Sequence, residues 1–588
     1  MIANFLNMFE SNLIDALRHD TPDILISWLP NDDILKYCFS SKIPLKDQFL
    51  LNCPPIHCVA AYLGSIQCLQ LLYDRGDRFK TKDNNSKTIV DFTFTGGHFE
   101  SFNFLITHGF DPNDLLKQAL IQDNINAIKF FHENDIFEFN FLLFKVAEFG
   151  CIEMMNYLIK VMGYKKIMNS RNDDGNSVLH ISIENSKIQM LKHLFNHEET
   201  QNNDEINIKN ENDINESKNI EDVDFNPINL KTGQSLLHLA AKKNNSEILN
   251  EILSEHGINT SQEHMWDFMT MDFLAVENDV RRKASIRSQN KVHKHSKPID
   301  FNQKDNHGNT PLMIAVKEGG LSVIQAFLMN EGLIDINIVN KKGQTALIEA
   351  VIQNRAEVVA ILIEIDGIDP NVLSKDGMAA LHLACVNKNE EIVSLLLKLP
   401  TININIQSNQ PKETQENQEN KNGAAPLHFA VESGNINIFN DLLTFSNLKF
   451  DLLNEENMTP LQIAAREGHK EMLLKLLECG CSQKFLTATD INGLTPLHSA
   501  ARFGHFEICQ KIIELSKNNL IQIDVNQKDN DGWTALHYAS RNAHLEIIKL
   551  LLEIPGIDVN SKDNRGNTAL YFTMNQEIRL LLQGHGAR

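Results

Sequence analysis

Three arginines in the C-terminal third of the sequence each follow two small residues. They occur in Ala464-Ala465-Arg466, Ala500-Ala501-Arg502 and Ala539-Ser540-Arg541. A guanidinium group binds a carboxylate through two parallel N–H donors, so a row of arginines suits an acidic ligand. Trp533 precedes the last arginine, and large aromatic side chains are common anchors in protein interfaces. These residue types predict recognition of an acidic, carboxylate-bearing protein, although Glu467 can neutralise part of the row.

The arginines belong to a string that recurs along the chain. Its pattern is D-x-x-G-x-T-P/A-L-H-x-A, and its glycine position falls at Gly308, Gly343, Gly377, Gly423, Asn457, Gly493, Gly532 and Gly566. Most steps are close to about 34 residues, a period that indicates stacked supersecondary units. In one unit Thr534 can cap a first helix whose buried face carries Leu536 and Ala539. Because a unit of this size cannot bury its apolar face alone, the units must stack on one another.

The recurring string resembles the ankyrin repeat family. The resemblance is carried by Thr310-Pro311-Leu312, Thr459-Pro460-Leu461, Thr495-Pro496-Leu497-His498 and Thr534-Ala535-Leu536-His537. It implies an all-α solenoid of stacked helix-turn-helix units with short β-hairpin loops. In that family the hairpin tips and the exposed side of the first helix form a concave binding surface, while the Leu, Ala and His positions are structural. The resemblance therefore makes His382, His428, His498 and His537 scaffold residues.

The family's concave surface defines the candidate partner-binding residues of this chain. Carried over position by position, they are Arg466, Leu494, Arg502, Asn530, Asp531, Trp533, Arg541 and Arg565. Trp533 occupies a position that should face solvent, and the three arginines of the row should follow one another along the surface.

The repeats predict the organisation of most of the chain. We expect about fourteen repeats: residues 52–170 carry degenerate ones and residues 171–588 clear ones. Residues 1–51 are expected to be helical and to cap the first repeat. Three insertions interrupt the array: an acidic, disordered one at 196–228, a helix plus a basic segment at 257–300, and a polar linker at 407–422.

The second insertion is the part of the chain that looks least like a repeat. After the capping-box spacing of Thr260 to Glu263, Trp266, Met269 and Phe273 fall on one helical face, which is typical of a partner-binding helix. The alternative is that this helix folds back and covers the solenoid. Ser285 and Ser288 follow basic residues in a pattern that basophilic kinases favour. A phosphate there could loosen docking of the basic segment on the acidic insertion.

Composition excludes several classes of function. A formal net charge of −21 opposes broad nucleic-acid binding, which needs a basic surface. No apolar stretch is long enough for a membrane span, and the first residues do not resemble a signal peptide. The scattered cysteines predict buried thiols in a reducing compartment, so we expect a cytoplasmic location, with the nucleus left open. Cys53, His57, Cys58 and Cys68 have the wrong spacing for zinc, so no metal site is expected.

No sequence motif indicates catalysis. The phosphate-binding loop, the dinucleotide-binding glycines, the nucleophile elbow, the H-E-x-x-H zinc motif and the kinase signatures are all missing from the sequence. We therefore expect no catalytic residues, no cofactor and no small-molecule substrate. The sequence favours a non-enzymatic scaffold or adaptor that binds proteins. The alternative is a regulatory or targeting subunit of an enzyme complex, with a second docking site in residues 257–300 or in the N-terminal helices.

Overall fold

The computed structural model describes residues 2–28, 54–201, 223–256, 258, 299–408, 423–479, 483–517 and 523–588. These residues form pairs of antiparallel helices joined by turns, and they include no named strand. The all-α prediction is confirmed. The predicted hairpin loops are turns in the described ranges, with one isolated antiparallel bridge between Ile228 and Ser235. Trp266, Met269, Phe273, Ser285 and Ser288 lie outside the described residues.

The chain divides into two compact units, Met1–Ile299 and Asp300–Arg588. The helices of the first unit are Ile2–Arg18, Pro22–Trp28, Ile56–Leu63, Ile66–Asp74, Ile89–Gly96, Phe99–Thr107, Pro112–Ile121, Ile125–Glu133, Phe139–Phe149, Ile152–Met162, Tyr164–Asn169, Val178–Glu184, Ile188–Gln201, Leu236–Lys242 and Ser246–Glu255. The helices of the second unit are Pro311–Glu318, Leu321–Leu328, Ala346–Ile352, Ala356–Leu362, Ala380–Val386, Glu390–Leu397, Pro426–Ser433, Ile436–Leu443, Pro460–Glu467, Lys470–Glu478, Pro496–Phe503, Phe506–Lys517, Ala535–Arg541, Leu545–Leu552, Ala569–Phe572 and Gln576–Gly584.

In the first unit, the two N-terminal helices contact the repeat that follows them. The backbone carbonyl of Leu17 accepts a hydrogen bond from the Ser65 hydroxyl. The carboxylate of Asp20 accepts the backbone N–H groups of Gln67 and Cys68, each at 3.0 Å. Because these two amides belong to the first turn of the helix Ile66–Asp74, the Asp20 carboxylate satisfies donors that have no partner within that helix.

In the second unit, the local sequence explains where each first helix begins and ends. The Thr495 hydroxyl oxygen accepts the backbone N–H of His498, and Pro496 occupies the first helical position, where a missing N–H costs nothing. Gly504 ends the helix at φ 87°, a left-handed conformation that glycine adopts without strain. Ala500 and Ala501 are fully buried, and their small side chains let the first helices of neighbouring repeats lie close together.

In the second unit, asparagine side chains join consecutive repeats at several of the turns between a second helix and the next repeat. The Asn337 amide donates to the backbone carbonyl of Gly367 at 2.8 Å, and its oxygen accepts the N–H of Asp369 at 2.8 Å. One side chain thus satisfies a donor and an acceptor of the next repeat. The same pair of bonds is made by Asn302, Asn371, Asn405, Asn526 and Asn560.

Candidate partner-binding surface

Where a repeat has the histidine of the recurring string, that side chain holds the first helix to the next repeat. The Nδ1 atom of His537 lies 2.8 Å from the Thr534 hydroxyl, and its Nε2 atom lies 3.3 Å from the carbonyl of Asn567. His498 makes the equivalent contacts, 2.7 Å to Thr495 and 3.0 Å to the carbonyl of Gln527. Burial lowers the pKa of both imidazoles. Both rings are buried and hydrogen-bonded at each nitrogen, which confirms that they are scaffold residues.

The carboxylate of Asp529 fixes the tip that carries Trp533. Its Oδ1 atom accepts the backbone N–H of Asp531 at 2.9 Å and that of Trp533 at 2.7 Å. Its Oδ2 atom accepts the Tyr538 hydroxyl at 2.6 Å. Burial and the hydrogen bond to Asp529 raise the pKa of Tyr538. The tip and the first helix of this repeat are therefore joined by one buried carboxylate.

Trp533 is half-buried, so the expectation that it faces solvent is only partly right. Its ring lies 4.4 Å from that of Phe572 and 5.0 Å from that of Tyr538, centroid to centroid. The Arg541 guanidinium carbon lies 5.2 Å from the centre of the Trp533 ring, within the range of a cation–π interaction. The Trp533 ring therefore supports the Arg541 side chain, and the exposed part of the ring can itself contact a partner.

Arg502 rests on aromatic rings in the same way one repeat earlier. Its guanidinium carbon lies 5.6 Å from the centre of the Tyr538 ring and 5.4 Å from that of Phe503. Its backbone carbonyl accepts hydrogen bonds from the next repeat, from Asn542 at 2.9 Å and from His544 at 3.2 Å. Arg502 and Arg541 are both exposed, and neither forms an ion pair with any residue that the structure describes.

Arg466 differs from the other two members of the predicted row. Its guanidinium lies 2.8 Å from Glu456, 2.8 Å from Glu467 and 3.5 Å from Glu432. Burial alone would lower the pKa of Arg466, but the hydrogen bond to Glu467 and the charges of the three glutamates raise it. The sequence indicated one neutralising glutamate, and the fold supplies three. The charge of Arg466 is thus paired within the chain. Of the predicted row, only Arg502 and Arg541 lack an ion pair in the described residues.

A groove of about 810 Å³ lies over the last repeats and brings together most of the predicted residues. We call it the arginine groove. It is lined by Arg502, Asp531, Trp533, Tyr538, Arg541, Asn542, Asp563, Asn564, Arg565, Asn567, Tyr571 and Phe572. The carboxylate of Asp563 is buried and accepts the backbone N–H groups of Arg565 at 2.9 Å and Asn567 at 2.7 Å. Three arginines therefore face a single exposed carboxylate, that of Asp531.

Besides Arg466, two predicted residues do not line the arginine groove. Leu494 is 6% exposed, so the expectation that it faces solvent is wrong. Its backbone N–H is held by Asp490 at 2.8 Å, and its side chain is packed inside the repeat. Asn530 is exposed, but its side-chain amide donates to the carbonyl of Ile491 at 3.0 Å and its backbone N–H donates to Asn492 at 3.0 Å. Asn530 thus joins one tip to the preceding one.

Sequence reasoning missed three aromatic residues of the arginine groove. Tyr538 occupies the variable position of the L-H-x-A motif, and Tyr571 and Phe572 lie in the following repeat. Tyr571 is 66% exposed, and its ring is perpendicular to that of Phe572 at 5.2 Å. The available signal was an aromatic residue, Tyr538 and then Phe572, at the variable position of two successive repeats.

Comparison with known proteins agrees with the repeated fold. A family model described as ankyrin repeats in three copies matches residues 283–374, 312–410, 365–449, 410–486, 427–529, 479–563 and 517–587. A second model, of a single ankyrin repeat, matches residues 232–262. Because these matches cover a smaller part of the chain than about fourteen repeats would occupy, that number stays a prediction.

One relative is a human protein named transient receptor potential cation channel subfamily A member 1. The two sequences are 26% identical over 222 residues, which is 36% of this chain and 20% of the channel. The chain therefore aligns with only about a fifth of that protein. Among the described residues, no helix is both long enough and apolar enough to cross a bilayer. The family matches from residue 283 to residue 587 span more than half of the 588 residues, and the chain belongs to the ankyrin repeat family.

Proposed function

We propose that this chain is a non-enzymatic scaffold or adaptor that binds a partner protein through the arginine groove. Ankyrin repeats are protein-interaction modules, and this chain has a groove that combines half-buried aromatic rings with exposed arginines. Residues of these types dominate the binding energy of protein interfaces. The observation that carries the proposal is that Arg502 and Arg541 rest on aromatic rings without a carboxylate partner in the described chain.

The same observation favours an acidic partner. A chain with a formal net charge of −21 has many carboxylates available, and three of them surround Arg466. Arg502 and Arg541 have none, although they occupy equivalent positions in the next two repeats. A carboxylate supplied by another protein would complete each guanidinium in the way that the glutamates complete Arg466.

The proposal takes only the repeat fold from the channel relative, because the likeness covers 20% of that protein. A cytoplasmic location is part of the proposal. It is supported by Cys58, Cys68, Cys151, Cys385 and Cys509, which are buried singly rather than paired with one another.

Affinity capture from the native cell extract, followed by mass spectrometry, tests the proposal. The full chain is compared with a variant carrying Arg502→Glu and Arg541→Glu. A matched control carries Lys470→Glu and Lys549→Glu, which change the net charge equally on exposed positions of second helices. Proteins that the control retains and the arginine variant loses support the proposal. Identical protein sets from all three chains would refute it.

A further inference from the structure

We propose that the arginine groove recognises an extended acidic segment of its partner, in which two Asp or Glu residues flank an apolar one. The inference rests on the proposed function and names the chemistry of the bound segment. It requires three properties of the groove: two separate carboxylate sites, a spacing that an extended chain can match, and an apolar floor between them.

The two carboxylate sites are the guanidinium groups of Arg502 and Arg541. Each lies against an aromatic ring, Tyr538 for the first and Trp533 for the second. A ring beneath a guanidinium group covers one of its faces and restricts its motion, but leaves the N–H groups along its edge free. Those N–H groups match the two oxygens of a carboxylate. Each arginine is therefore arranged to bind one carboxylate with two hydrogen bonds.

The spacing follows from the repeat. Arg502 and Arg541 end first helices that pack side by side, and packed helices lie roughly 8–10 Å apart. An extended chain advances about 3.3 Å per residue. Two acidic residues two or three positions apart can therefore each reach one arginine. A helical segment advances only about 4.5 Å over three residues, so acidic residues at this spacing would not span the pair in a helix.

The floor between the arginines favours an apolar residue. It consists of the half-buried rings of Tyr538 and Trp533, whose centroids lie 5.0 Å apart, and it continues past Arg541 to the ring of Phe572 in the next repeat. The exposed carboxylate of Asp531 stands beside this floor and would repel a third acidic residue placed at the centre. The groove thus selects the order acidic, apolar, acidic, and disfavours a uniformly acidic tract.

The test is selection from a displayed library of random eight-residue peptides on the full chain. The library is first depleted on the Arg502→Glu/Arg541→Glu variant. We expect enriched sequences with two acidic residues two or three positions apart and an apolar residue between them. Enrichment of basic, uniformly acidic or purely apolar sequences would overturn the inference, and so would the absence of any enriched sequence.

The best enriched peptide is then labelled with fluorescein, and its binding is measured by anisotropy. We expect each single Arg→Glu change to weaken binding at least tenfold, and the Lys470→Glu/Lys549→Glu control to change it less than twofold. Arg502→Lys and Arg541→Lys keep the charge but lose the planar group, so each should weaken binding about threefold to tenfold. If the lysine variants bind the peptide as tightly as the unchanged chain, the positive charge determines binding and the paired hydrogen bonds of the guanidinium group do not.

Failure of this inference is distinguishable from failure of the proposed function. If capture of native partners depends on Arg502 and Arg541 but no peptide is enriched, the partner is recognised through a folded surface. The proposed function then stands and the extended segment is rejected. If peptides bind but capture is insensitive to both arginines, the proposed function is rejected.

Discussion

The Nδ1 atom of His382 lies 3.0 Å from the backbone nitrogen of Ala379 and accepts its hydrogen. The Nε2 atom of the same ring lies 3.0 Å from the carbonyl of Ile406 and donates to it. The contact at Nδ1 requires the neutral ring with its hydrogen on Nε2, because a proton on Nδ1 would face the Ala379 N–H. Burial lowers the pKa of His382 to about 4, and that of His428, which makes the same contact with Ala425, also to about 4.

The first prediction follows from these two pKa values. An unfolded histidine has a pKa of about 6.5, so between pH 6.5 and 4 the unfolded chain binds more protons than the folded chain. The stabilisation is fully present above pH 6.5 and is lost as the pH falls towards 4. We expect each histidine to account for a loss of on the order of 1–2 kcal/mol in unfolding free energy between pH 7 and pH 5.

Replacing these histidines by glutamine isolates the effect, because one repeat of the chain already has a glutamine at this position. Gln462 occupies the histidine position of its repeat, where its oxygen accepts the N–H of Thr459 at 2.8 Å and its nitrogen donates to Ala488 at 3.0 Å. The variant His382→Gln/His428→Gln should keep the contacts and lose part of the pH dependence in urea unfolding. An equal loss of stability from pH 7 to pH 5 in both chains would contradict the prediction.

The second prediction concerns the contact between tips. Gly532 has φ 81°, and an added Cβ would lie 2.8 Å from the backbone nitrogen of Asn564. Gly566 has φ 85° but nothing within 4 Å of such a Cβ. Gly566→Ala should therefore cost about 1–2 kcal/mol of backbone strain, and Gly532→Ala about 1–3 kcal/mol more from overpacking. Urea unfolding measures both losses of unfolding free energy. Equal losses for the two variants would show that the close approach of Gly532 to Asn564 does not affect stability.

The third prediction concerns the asparagine bridges. Asn371 donates to the carbonyl of Thr401 and accepts the N–H of Asn403, each at 2.8 Å. Asn371→Ala should lower the unfolding free energy by about 1 kcal/mol, since the bonds are partly exposed. Asn371→Asp keeps the acceptor and should protect the Asn403 amide from hydrogen exchange better than alanine does. Unchanged exchange at Asn403 in the alanine variant would argue against the bridge.

The fourth prediction separates Arg466 from Arg502. Arg466→Ala leaves Glu432, Glu456 and Glu467 near one another without their cation, and should lower stability by about 1 kcal/mol. Arg502→Ala breaks no ion pair in the described chain and should change stability by less than about 0.5 kcal/mol. Partner capture should respond in the opposite order, with the loss confined to Arg502→Ala. Loss of capture in the Arg466 variant at unchanged stability would reverse this assignment.

The family and the scaffold histidines could be predicted from the sequence because both are local properties. The spacing of Thr495, Pro496, Leu497 and His498 determines where a helix begins and which side chains it buries. A capping threonine and its histidine are three residues apart, so the helix itself brings them together. The recurrence of the string then required stacking, because one repeat cannot bury its own apolar face.

Tertiary structure alone decided which arginines are free, because the deciding contacts join different repeats or distant parts of one repeat. Arg466 meets Glu432 from the preceding repeat, whereas Arg541 meets the ring of Trp533 and Arg502 meets Tyr538 of the next repeat. The sequence placed all three arginines at equivalent positions. Their surroundings differ because each repeat presents a different side chain to its neighbour, and a pattern shared by all repeats cannot encode that difference.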